Sequence, residues 1–265
     1  MFNINLNVLK MKTIKHVKGL AGILMISLIL FGCGKDEAVN PELFQKLSFD
    51  EQEVLDKLPA GLLNSNDEHA EECISMIEDA LDMSQFIGDM DVPSGAEKVA
   101  KKSTGGTWKW SVTAQGYAYT FYWTYSEDAS KHYWTMEIQV DGGTKYPYIQ
   151  AWEYKDGSGG EVKYNFNWTT AVYGSVEYED IFWTYTWTLD ASGNYHFTMT
   201  WDADDGGEEY YLNYEVVVND DGSGYIEYWL TGYLVYEMEW DALGNGTWVY
   251  YSGGEELMSG SWTAA

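Results

Sequence analysis

The 265-residue sequence predicts a mainly β protein. The expected fold is an antiparallel up-and-down meander of about 10–12 strands, closed or nearly closed into a soluble barrel and preceded by a short α-helical segment. Three observations predict it. All thirteen tryptophans and all twenty-two tyrosines fall between Trp108 and Trp262. Over the same stretch the hydrophobic period is two. Turn signals interrupt it at even spacing, among them Asp141-Gly142-Gly143, Asp156-Gly157-Ser158-Gly159, Ser192-Gly193-Asn194, Asp221-Gly222-Ser223-Gly224 and Leu243-Gly244-Asn245-Gly246.

The chain opens with a leader. Its first thirty-three residues contain no acid, and Lys10, Lys12, Lys15 and Lys18 precede an apolar run from Leu20 to Phe31. That run is too short to span a bilayer and fits the core of a signal peptide, with Met11 as an alternative start. It ends Leu28-Ile29-Leu30-Phe31-Gly32-Cys33, which resembles the lipobox of bacterial lipoproteins. The resemblance implies cleavage between Gly32 and Cys33 and acyl chains on the Cys33 thiol and the new amino terminus. Several chains anchor stably where one does not. The following Gly34-Lys35-Asp36-Glu37 is similar to a surface-export signal. Glycine rather than aspartate after the cysteine implies the outer membrane. The protein is therefore expected to be lipid-anchored there, on the cell surface or the periplasmic face. An ordinary secretory signal with an incidental cysteine is the alternative.

The segments follow in order. Residues 1–32 are the signal peptide and 33–47 a tether. Residues 48–90 are a helical segment of two helices. Ser48 and Glu51 form a capping box for the first, which Pro59 and Gly61 should end near Leu58. The second starts near Asp67, with Ala70, Cys73, Ile74, Ile77, Ala80, Leu81, Ser84 and Ile87 on one face, widened by Met76, Met83 and Met90. This amphipathic helix is expected to plug the barrel or cap one end. Residues 91–106 read as a linker and 107–265 as the β domain.

Within that domain Trp108, Trp110, Val112 and Ala114 alternate with polar residues, as do His132, Trp134, Met136, Ile138 and Val140. So do Val162, Tyr164, Phe166 and Trp168, and Tyr195, Phe197, Met199 and Trp201. One wet face and one buried face indicate antiparallel strands. Closure into a barrel hides the aromatic face and removes exposed edges. Two packed sheets are the second solution. A transmembrane barrel is opposed by aromatics along whole strands, where girdles are expected, and by short turns at both ends.

Composition excludes several functions. All fifteen basic residues are lysine against forty-two acids, a net charge of −27, and loss of the leader's four lysines takes it to −31. Such a chain repels nucleic acid and lacks arginine's bidentate clamp for phosphate. No nucleotide fingerprint, nucleophile elbow or His-x-x-x-His spacing occurs, so no cofactor, metal or catalytic residue is assigned. Cys73 cannot form an internal disulfide once Cys33 is acylated and reads as a small buried apolar residue. His132 and His196 read as solvated surface. Glu237 and Glu239 share a strand face, the starting point for a carboxylate-based hydrolase. The acidic turn Asp202–Glu209 lacks calcium-loop spacing.

Aromatics remain the functional signal. Tyr122, Tyr133 and Tyr211 fall on the opposite parity to the apolar face of their strands, where flat rings beside acids and amides suit stacking on sugars. The expected role is non-catalytic binding of a glycan or a small apolar ligand. A structural envelope lipoprotein contacting a protein partner is the alternative.

Overall fold

The computed structural model describes residues 51–88, 92–93, 95–102, 105–168, 179–204 and 209–265. The expected signal peptide with Gly32 and Cys33, the expected tether, Ser48, Met90 and residues 205–208 lie outside the described residues, as do the side chains of Met83, Ser84 and Ile87.

Among the described residues three helices precede the sheet: α1 Glu51–Leu55, α2 Ala60–Leu63 and α3 Glu68–Gly88. α1 ends at Leu55, short of the expected Leu58, and the expected stop signals do the reverse: Pro59 is the N-cap from which α2 starts and Gly61 lies inside α2. The Asp67 carboxylate accepts from the His69 backbone N–H at 2.9 Å and caps α3.

The strands are β1 Glu97–Lys102, β2 Gly105–Ala114, β3 Tyr117–Glu127, β4 Lys131–Val140, β5 Lys145–Tyr154, β6 Gly159–Asn165, β7 Glu179–Leu189, β8 Tyr195–Asp204, β9 Glu209–Val218, β10 Gly224–Leu230, β11 Tyr233–Trp240, β12 Gly246–Ser252 and β13 Glu255–Trp262. All join one antiparallel sheet in sequence order, so the meander is as predicted. The barrel is not: β1 and β13 are edges and do not pair, and the described residues form no second sheet. Closure is unnecessary because the aromatic face is covered in other ways. The helices lie across part of it, and the chain after β6 turns inward across another part. Phe166 stacks on Trp201 at 6.0 Å and Trp168 meets Tyr119 edge-on at 6.4 Å. Phe166 and Trp168 therefore leave the strand that their alternation predicted, which ends at Asn165.

The thirteen strands among the described residues exceed the expected count, and β1 falls inside the predicted linker. Its Lys98, Lys101 and Lys102 carry no apolar alternation, as suits a charged edge strand. The turns differ by end. At one end two-residue turns such as Thr231-Gly232 and Gly253-Gly254 take positive φ at both positions, the geometry that matches strand twist. At the other end five-residue turns open on Asp190 or Asp241. Each carboxylate accepts from two backbone N–H groups of its own turn and from the side chain of Asn194 or Asn245.

A second regularity was not visible in the sequence. Gly160, Gly224, Gly246 and Gly260 each sit directly across from a tryptophan: Trp187, Trp240, Trp262 and Trp248. The indoles lie where a Cβ would be, so each glycine is a slot that a ring fills. Trp240 and Trp262 then donate to the Gly222 and Gly244 carbonyls, both at 2.8 Å.

Helix α3 lies on the inner face of β9–β12. It buries Ala70, Cys73, Ile77, Ala80 and Leu81, the stripe the spacing predicted. His69 stacks on Trp248 at 4.1 Å, the Tyr214 hydroxyl donates to the Met76 carbonyl at 2.7 Å, and Tyr236 donates to Glu72 at 3.3 Å. Burial pushes the Cys73 thiol up to about 12, which keeps it protonated and inert. Among the described residues no helix is long and apolar enough to cross a membrane.

Candidate functional site

The outer face is the side of the sheet opposite the aromatic core. Tyr122 on β3, Tyr133 on β4 and Tyr211 on β9 all lie on it, as their parity predicted. They do not form one site. Tyr211, 41% exposed, is six strands from Tyr122, roughly 29 Å along the sheet. Tyr122 and Tyr133 are on neighbouring strands but about four residues apart in register, roughly 13 Å. Tyr122 is also occupied: its hydroxyl donates to Gln139 at 3.0 Å and the Lys145 ammonium stands 3.3 Å above its ring.

Tyr133 belongs to a richer constellation. It pairs directly across the strands with Trp152, and Lys131 pairs with Tyr154. Trp152 and Tyr154 meet edge-to-face at 5.2 Å. The Lys131 ammonium lies 3.3 Å over the indole and 4.5 Å over the Tyr154 ring. Tyr133 donates to Asp128 at 2.9 Å, which pushes the phenol's pKa up. Asp128 in turn accepts from the Ser130 and Lys131 backbone N–H groups, which hold its carboxyl well below the usual range. The turn thus fixes the acid, the acid fixes the tyrosine, and three rings present a shelf beside one cation.

Trp152, Tyr154 and Lys131 were missed in the sequence for a physical reason. A bulge at Tyr148 shifts the register of β5 between Pro147 and Ile149. Tyr148 and Ile149 both point to the core, and beyond them the parity inverts. Trp152 and Tyr154 turn outward, and Glu153 turns inward and is fully buried. The aromatic-then-acid sequence Trp152-Glu153-Tyr154 in a strand was the available signal.

Glu153 lies across from His132, which is 4% exposed. The expectation of a solvated His132 is therefore wrong; it follows its apolar alternation into the core. Its Nδ1 shares a hydrogen bond with the Tyr125 hydroxyl at 2.8 Å, and Glu127, salt-bridged to Lys155 at 2.8 Å, lies 3.6 Å away. Burial, then repulsion from Lys155, lower the imidazole's pKa against the opposing pull of Glu127. His196 does lie on the outer face, partly exposed, 3.7 Å from Asp190.

On the other half of the sheet, Glu215, Glu227 and Glu237 stand in direct cross-strand register on the outer face. Their partners are ring donors: Tyr225 at 3.1 Å, Trp229 at 2.9 Å and Tyr251 at 2.7 Å. Glu239 shares this face but is exposed, and Glu237 is held by Tyr251. Among the described residues no group of three or more His, Cys, Asp or Glu side chains is arranged to hold a metal ion. Comparison with protein-family models, with curated proteins and with solved structures found no match to this chain.

Proposed function

We propose that the chain is a lipid-anchored outer-membrane protein that binds a glycan on its outer face without catalysing a reaction. The lipobox ending at Cys33 supports the anchor. The observation that carries the binding role is the Tyr133–Trp152–Tyr154 shelf, three rings on the side of the sheet away from the core. A fold driven by burial alone places large aromatics inward, and rings at solvent beside a fixed carboxylate and a cation match what sugar recognition uses. An apolar ligand in a barrel mouth is less well supported, because the sheet is open and α3 occupies its inner face. A second reading, a structural lipoprotein meeting an envelope protein, is favoured by the Glu215–Glu227–Glu237 row.

Two measurements test the proposal. Cys33→Ala is expected to leave the precursor uncut and release the protein from the membrane fraction; normal retention rejects the anchor. Tryptophan fluorescence of the full chain in mild detergent, titrated with a panel of soluble glycans, is expected to change for at least one of them. Trp152→Ala is expected to remove the response. A silent panel rejects the binding role and favours the structural reading.

A further inference from the structure

We propose that the shelf selects a glycan carrying carboxylates, a uronate-type polymer, and that Lys131 is the residue that reads its charge. The inference rests on the proposed glycan-binding role and names the ligand class of that same site.

Charge is divided unevenly along the sheet. Between residues 97 and 165 there are eight lysines and eight acids; from 166 to 265 there are eighteen acids and no lysine. An anionic polymer approaching β7–β13 meets only like charge. Over β2–β6, residues 105–165, it meets five lysines and seven acids, one of them the buried Glu153.

Those cations are not equivalent. Lys145 lies 3.7 Å from Glu137 and Lys155 lies 2.8 Å from Glu127. Lys131 has no carboxylate partner within salt-bridge distance among the described residues. Asp128, in the turn just before it, is engaged by Tyr133, Ser130 and the Lys131 backbone N–H. The Lys131 ammonium rests instead on the faces of Trp152 and Tyr154. In a chain with net charge −27 an unpaired ammonium held on two rings is a conspicuous placement.

A cation on an indole face is held loosely at an exposed site. A charge-assisted hydrogen bond to a carboxylate is stronger. A uronate ring approaching the shelf therefore draws the ammonium from the indole face to its own carboxylate. The vacated face is then open for the sugar's C–H surface. Tyr133 and Asp128 sit beside it to meet hydroxyls. A neutral sugar gets the rings only by displacing Lys131 without such a replacement.

The experiment uses the full chain in mild detergent, with two probes and their masked forms: a short oligogalacturonide, a short oligomannuronate, and the methyl ester of each. Esterification keeps rings and linkages and removes charge. At least one acid form is expected to bind about tenfold or more tighter than its ester, with the preference shrinking as salt rises. Lys131→Met, which keeps the stem, is expected to erase the preference by weakening the acid form while the ester, which no longer displaces an ammonium, binds no worse, and Lys131→Arg to keep it. Trp152→Ala is expected to weaken both forms. Equal affinity for acid and ester, or a preference that survives Lys131→Met, overturns the inference. So does failure to bind uronates by a protein that binds neutral glycans through Trp152, and the shelf itself then stands. Failure to bind any glycan of either class overturns both.

Discussion

The strands β2–β6 and β7–β13 are built on one alternation yet satisfy their carboxylates by different chemistry. In the first half ammonium groups take a share, Lys155 on Glu127 and Lys145 on Glu137, alongside the Tyr133 hydroxyl on Asp128. In the second, which has no lysine, ring donors do it: Tyr225 on Glu215, Trp229 on Glu227, Tyr251 on Glu237. The same substitution governs how the helices attach. Tyr195 donates to Glu53 and Tyr236 to Glu72, so acidic helices sit on an acidic half-sheet with phenols between them. Lys57 with Asp220 adds an ion pair across that interface. A phenol donor carries no charge to balance, so the aromatic richness that fills the core also spares this half from needing cations.

Truncations on each side should separate the halves most sharply. Trp123→Ala, in the first half, is expected to cost about 3–5 kcal/mol, since the indole is fully buried. Ile77→Ala, under α3, is expected to cost about 2–4 kcal/mol. Hydrogen exchange should then rise mainly over β2–β6 for the first and over β9–β12 and α3 for the second. Uniform loss of protection in both variants would show one cooperative unit and break the comparison.

A smaller effect is expected from Tyr236→Phe, which deletes one donor to Glu72 while Tyr250 still reaches it at 3.4 Å. A loss of about 1 kcal/mol in denaturant titration fits a phenol serving as a real partner. No change would mean the helix is held by apolar contact alone.

Acid should weaken the first half before the second. His132 has a lowered pKa when folded, so the folded state resists protonation and the unfolded state, near 6.5, does not. The associated stability is present above about pH 6.5 and is lost as pH falls through the folded value. Protection over β3–β5, measured against the intrinsic exchange rate at each pH, should fall between pH 7 and 5, and His132→Gln should flatten that slope.

Salt should have the least effect, with opposite signs. Screening weakens each exposed lysine pair of the first half by under about 1 kcal/mol. In the second it relieves repulsion among eighteen carboxylates. A thermal scan at low and high ionic strength read by exchange would show whether the signs do oppose.

The sheet's direction, its turns and the buried stripe of α3 were legible because each is a local pattern. Trp108 to Ala114 announces its own pleat, and Ala70, Cys73 and Ile77 announce their own helix face. What stayed hidden depended on contacts between distant residues. Whether β1 meets β13 is not written in either strand. The covering roles of Phe166 and Trp168 depend on where the chain turns after Asn165. The shelf was half legible: Tyr133 has outward parity by simple counting, but Trp152 and Tyr154 reach the same face only because Tyr148 takes an extra place in β5. Parity counting carries no information past an unrecognised bulge. The glycine slots were invisible because Gly160 and Trp187 are far apart in the chain and become partners only when β6 meets β7.

The meander brings one further consequence, for the order of assembly. Every strand finds its partner next door, so each hairpin can close as soon as its second strand emerges, at small entropic cost. The helices are the exception. They are made first, yet Met76 meets Tyr214 across 138 residues and Glu72 meets Tyr250 across 178. A chain delivered amino terminus first must hold a finished amphipathic helix in waiting while the sheet grows strand by strand. That interval exposes the apolar stripe of α3, and it ends only when the last hairpins arrive.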